Sequence, residues 1–251
     1  MTYSIEQLHD MIENEKRLPP DFNQWYLKID KSGTTIAHLA VMYNCLPPDF
    51  DRWYLCDYTG WTVAHEFASY GHLPPDFNMW HLRDKEGNTI AHSAAYFGYL
   101  PSNFNQWNLA TNTGRTVAHT AASYGHLPPD FDRWYLRDKN GWTVAHSAAH
   151  NGYLPSDFDQ WNLATNTGRS VAHTAAKHGY LPPDFNRWDL ADINGWTVAH
   201  EAVYFNHLPS GFNQWELADN NGRTVAQIAY EYNHLPPDFN RWDLIKKNQE
   251  N

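Results

Sequence analysis

The sequence predicts an all-α repeat solenoid of about eight 27-residue units with terminal caps. Three observations lead there. A tryptophan recurs at Trp53, Trp80, Trp107, Trp134, Trp161, Trp188, Trp215 and Trp242. A histidine keeps the same beat at His38, His65, His92, His119, His146, His173 and His200, with Gln227 at that place in the last copy. A fixed period of this length means stacked units, each burying its apolar face against its neighbours rather than around one centre.

Taken in order, residues 1–17 read as a capping helix. Ser4 and Gln7 have the spacing of a capping box, Ile5, Leu8 and Ile12 share one face, and the charged remainder suits a polar outer side. The repeat array covers residues 18–244. Its first full unit carries one extra residue between Leu27 and Asp30, read as a local bulge.

The unit is clearest from Leu181 to His207. Asp192 and Gly195 occupy the first and fourth places of a type I turn. Thr197 follows as a helix N-cap, with His200 three residues on, where its side chain can reach back to the cap. The helix is expected to stop near Asn206, because the matching residue in other copies is glycine or asparagine, which tolerate the left-handed conformation. Next, Pro182 keeps Leu181 extended and Pro183 opens a helical turn, with Asp184 near its positive end and Phe185 and Trp188 on one face. A second helix of about one turn is therefore expected. Residues 245–251 leave the pattern and read as a polar tail.

The run from turn to helix end, DxxGxTVAHxAAxxGHLP, resembles the ankyrin-repeat pattern DxxGxTPLHxAAxxGHLE. Val-Ala stands in place of Pro-Leu, and each repeat is shorter than the family's, so the chain is similar to a short ankyrin variant with a reduced second helix. The resemblance covers about residues 18 to 244. It implies a stack of helix pairs that binds partners through turn tips and first helices on a concave face.

Composition excludes several functions. A formal charge of −10 opposes non-specific nucleic-acid binding, which depends on phosphate neutralisation by Lys and Arg. Cys45 and Cys56 lie outside the repeated positions and read as free thiols of a reducing compartment. No apolar run suits a membrane span or signal peptide, so the expected place is the cytoplasm, of this cell or of one into which the protein is delivered. No Ser, Cys or Lys stands beside a base, and no glycine-rich phosphate loop is present. The expectation is therefore no enzyme, no cofactor and no metal. Successive capping histidines would sit about 8 to 10 Å apart, too far to share a zinc ion.

What remains are positions that turn and cap chemistry leave unexplained. The residue before the N-cap is Trp61, Arg115, Trp142, Arg169, Trp196 or Arg223 in six copies, and Trp and Arg are residue types that dominate interfaces. Duplication of two units at once accounts for this alternation as well as function does. On the first helices, Tyr70, Phe97, Tyr124, His150 and Phe205 join them as candidate partner-binding residues. The expected function is a monomeric, non-catalytic protein-protein interaction module, an inhibitor or effector whose protein partner carries an acidic patch. Two alternatives stand beside it. One is a small-molecule or nucleotide-type ligand held by the Trp/Arg row. The other is an acidic nucleic-acid mimic built on Asp49, Asp76, Asp130, Asp157, Asp184 and Asp238, each of which helix-start electrostatics also explains.

Overall fold

The computed structural model describes residues 3–246, which fall into two compact units, Met1–Ala121 and Ala122–Asn251. Among the described residues the elements are helices α1 Ile5–Asp10, α2 Ile36–Met42, α3 Val63–Ser69, α4 Ile90–Phe97, α5 Val117–Tyr124, α6 Val144–Asn151, α7 Val171–His178, α8 Val198–Tyr204, α9 Val225–Glu231 and α10 Asp243–Lys246. No strand occurs among them, only isolated antiparallel bridges such as Ala191 to Thr197, one per repeat. Within the second unit α6, α7, α8 and α9 pack consecutively, and within the first α2, α3 and α4 do so.

Helices of seven or eight residues are marginal in water, and local bonds make these possible. In the repeat built on α8, the Gly195 N–H donates to Asp192 O at 3.0 Å, and Asp192 Oδ1 accepts from the N–H groups of Asn194 and Trp196. Gly195 takes φ of 75°, which few other residues adopt cheaply. The first helical donors all find acceptors: Val198 N–H on Leu190 O, Ala199 N–H on Trp188 O, and His200 N–H on Thr197 Oγ1. The Thr197 N–H reciprocates onto His200 Nδ1 at 3.2 Å, completing the expected capping box. At the other end Gly98, Gly152 and Gly179 adopt left-handed φ, as do Asn44, Asn206 and Asn233. At Gly71, Gly125, Gly152 and Gly179 the ring of the following repeat lies over the cap. A Cβ on Gly152 would stand 3.0 Å from Tyr180, and one on Gly179 would stand 3.3 Å from His207. The interchange of His and Tyr at that position is thus an exchange of rings packed on a glycine.

The expected second helix is absent. Phe185 N–H bonds to Pro182 O and Leu190 N–H to Arg187 O, giving two separate single turns in place of a helix. The carbonyls that would continue it are already taken, Trp188 O by Ala199 N–H and Leu190 O by Val198 N–H. The helix-start explanation of Asp49, Asp76, Asp130, Asp157, Asp184 and Asp238 falls with it, and these side chains stand exposed on the turns.

The turns carry the aromatic half of the core. In the second unit Phe131, Trp134, Phe158, Trp161, Phe185, Trp188, Phe212, Trp215, Phe239 and Trp242 meet edge to face in unbroken succession, at 5.1 to 5.6 Å and 77 to 89°. Phe22 to Trp107 make the same series in the first unit. Edge-to-face rings are favoured by the aromatic quadrupole beyond the area they bury. The helices supply the other half, a row of Val and Ala such as Val198, Ala199 and Ala202, all fully buried.

The ends differ from the interior. Ser4 and Gln7 form the expected capping box, and Leu8 and Ile12 are buried, but Ile5 points outward and is 42% exposed. The helix gives way to a π-helical turn at Met11–Glu15. The extra residue of the first unit is Ile29, whose N–H bonds to Thr34 O, while Asp30 Oδ1 still accepts from Thr34 N–H. At the C-terminal end Ile245 and Lys246 belong to α10, not to the tail, and Ile245 packs against the core beside the buried Leu244. The rest of the expected tail lies outside the described residues. Cys45 and Cys56 are free. Among the described residues no helix is long and apolar enough to cross a membrane.

Candidate functional site

In six repeats the residue before the N-cap has its backbone carbonyl bound by the preceding repeat. The Nδ1 of a capping histidine lies against the N-cap N–H, which can only donate, so Nδ1 is the acceptor and the proton sits on Nε2. That Nε2–H then reaches forward: His146 to Arg169 O at 3.0 Å, His173 to Trp196 O at 2.8 Å, and His200 to Arg223 O at 3.0 Å. In the first unit His38, His65 and His92 make the same bond to Trp61, Asn88 and Arg115. Both ring nitrogens are thereby used in holding the fold. Burial holds His92 and His146 down to about 4, only partly opposed by the carbonyl bond, and lowers His38, His65, His173 and His200 in the same way.

The side chains at this position are also engaged, contrary to the expectation that turn and cap have no need of them. The Trp196 ring lies on His200 at 5.0 Å, and its Nε1–H donates to Glu201 Oε2 at 2.9 Å. Trp61 repeats this with His65 and Glu66, and Trp142 with His146 and Ser147 Oγ. Arg169 is not held ready for an acidic partner. Its guanidinium spans the carboxylate of Glu201 in the next repeat, at 2.5 and 3.3 Å, and that carboxylate is buried. Arg223 pairs with Glu231, and Arg115 donates to His119 O.

Five of the sequence-predicted residues come together. Trp142, His150, Arg169, Trp196 and Phe205 line one groove of about 650 Å³ in the second unit. On one side stand the turn tips, with Asp192 and Asp219; on the other stand the helix ends, with Lys177, His178 and Tyr204. The rings of His150 and His178 meet at 4.3 Å, and Lys177 Nζ lies 5.5 Å over Phe205. His178 Nε2 is buried and has no hydrogen-bond partner among the described residues. Burial, and then the neighbouring His150, lower the pKa of His178, which favours its neutral form in this part of the groove. Among the described residues no three His, Cys, Asp or Glu side chains converge as a metal site.

No known protein-family model matches the chain, and no curated protein does. The site therefore stands on its own geometry. Tyr124 and Arg223 also belong to the second unit but do not line the groove, while Trp61, Tyr70, Phe97 and Arg115 belong to the first. Tyr70 there stacks on His72, and Phe97 lies between Tyr96 and Tyr99. Sequence reasoning missed Lys177 and the burial of Glu201 between Arg169 and Trp196 in the groove lining. A signal for the latter was present, since Glu66 and Glu201 each follow a pre-cap Trp by five residues.

Proposed function

We propose that this protein is a non-catalytic binding module of ankyrin-like build that holds a protein partner, as inhibitor or effector, in the groove of its second unit. The carrying observation is the groove itself, open and bordered by Trp142, Trp196, Tyr204 and Phe205, while the capping His173 and the guanidinium of Arg169 are bound within the fold. Binding sites of this kind combine aromatic walls with a few placed polar groups. A small ligand clamped between Trp and Arg is less favoured, because Arg169 is committed to Glu201 and the Trp142 and Trp196 rings already lie on histidines.

The test separates the groove from the acidic turn edge. His150→Ala combined with Phe205→Ala removes exposed groups of the groove and is expected to abolish partner capture without loss of helical signal. Asp157→Asn combined with Asp184→Asn on the turns is expected to leave capture intact. The reverse result would replace the groove by the acidic edge, as in a nucleic-acid mimic.

A further inference from the structure

We infer that the groove of the second unit takes a basic segment in polyproline II conformation, with two cationic side chains three residues apart seated at Asp192 and Asp219. The inference rests on the protein-binding reading and adds the chemistry of the partner.

It begins with which charges of the groove are already satisfied. Of the two cations on its lining, Arg169 is paired with Glu201, while Lys177, over the ring of Phe205, belongs to the last turn of α7 and not to the tips. The two tip carboxylates are half used. Asp192 Oδ1 accepts from Asn194 and Trp196 N–H, and Asp219 Oδ1 accepts from Asn221 and Arg223 N–H. Neither Oδ2 has a hydrogen-bond partner among the described residues, whereas Asp84, at the same position in the first unit, has its Oδ2 occupied by Asn88 Nδ2 at 2.9 Å. An anionic segment would meet two unsatisfied carboxylates and no available cation on the tip side. A cationic one meets both carboxylates and the aromatic groups beside them, where guanidinium and ammonium ions are also attracted to ring faces. The net charge of −10 steers such a segment toward the protein.

The spacing follows from the repeat. Asp192 and Asp219 hold equivalent places in repeats whose helices α8 and α9 pack together, a step of about 8 to 10 Å. In the polyproline II conformation a chain advances about 3.1 Å per residue with about three residues per turn, so side chains three residues apart share a face and match that step.

The test uses the full chain and three fluorescein-labelled twelve-residue peptides, read by anisotropy at low and physiological salt. One carries two arginines three residues apart on a leucine-serine background, one has them adjacent, and one has glutamates in their place. The first is expected to bind at least about tenfold more tightly than the others and to weaken as salt rises. Asp192→Asn together with Asp219→Asn keeps the Oδ1 acceptors of both turns and is expected to cost at least about tenfold in affinity, with an unchanged melting temperature. Equal binding by that variant, equal binding of both arginine peptides, or no binding of any peptide would overturn the inference. Preference for the glutamate peptide would also overturn it. If that preference is lost in the His150→Ala, Phe205→Ala variant, the groove reading survives with a partner of opposite charge.

Discussion

His173 caps its own helix through Nδ1, which accepts from Ser170 N–H at 3.1 Å, and bonds the next repeat through Nε2, 2.8 Å from Trp196 O. One side chain thus joins local and tertiary structure, and the two roles can be separated. Gln227, which fills the histidine position in the last repeat, completes the capping box with Oε1 on Thr224 N–H at 2.9 Å. A glutamine therefore serves as cap.

His173→Gln is expected to retain the cap and lose the inter-repeat bond, at about 1 kcal/mol. His173→Ala loses both and strands a buried N–H, at about 2 to 4 kcal/mol. Urea denaturation of the two variants checks the order. Equal costs would mean that the two nitrogens do not act separately.

Acid sensitivity follows from the same residues. In the fold these histidines are neutral, with pKa values depressed chiefly by burial, to about 4 for His92 and His146, whereas the unfolded chain protonates near the ordinary value of about 6.5. The unfolded state therefore binds more protons between these values. Stability is fully present above about pH 6.5 and is lost as pH falls toward 4, on the order of 3 kcal/mol for each of these two. Melting temperature followed from pH 8 to 4 should fall steadily below 6.5, and less steeply for His146→Gln. A flat profile above pH 4.5 would contradict this account.

The ring series predicts a gradient from interior to end. Trp188→Ala opens a void between Phe185 and Phe212 and is expected to cost about 3 to 5 kcal/mol. Trp242 closes the series and is 49% exposed, so Trp242→Ala should cost about 1 kcal/mol. Chemical denaturation distinguishes the two.

Arg169→Glu is expected to destabilise the protein even before any partner is considered, since it sets a second carboxylate against the buried Glu201. The cost is about 2 to 3 kcal/mol, below that of a fully buried pair because 34% of the Arg169 side chain is accessible. Arg169→Gln combined with Glu201→Gln should be milder than the two single changes added together, because the glutamine that replaces Glu201 can still accept from Trp196 Nε1–H. Strict additivity would show that the two side chains are not coupled.

The repeat length, the turn at Asp192, the cap at Thr197 and the left-handed helix ends were all legible in the sequence, because each depends on residues within a few places of one another. Spacing alone carried that information. The missing second helix was not legible, since Pro182 to Trp188 permits a helical turn and its continuation is opposed by the capture of Trp188 O by Ala199 N–H and of Leu190 O by Val198 N–H. Nor was the state of Arg169. Its partner lies 32 residues away, and only the stacking of one repeat on the next brings Glu201 to it. Local chemistry thus determined the repeat, the single reliable helix in each copy and the capping role of the histidines. Tertiary packing alone decided that Arg169 is held by the fold and that the groove forms between repeats, because those contacts join atoms that the sequence separates by a whole repeat or more, whereas Trp196 is held by His200 and Glu201 only four and five residues away.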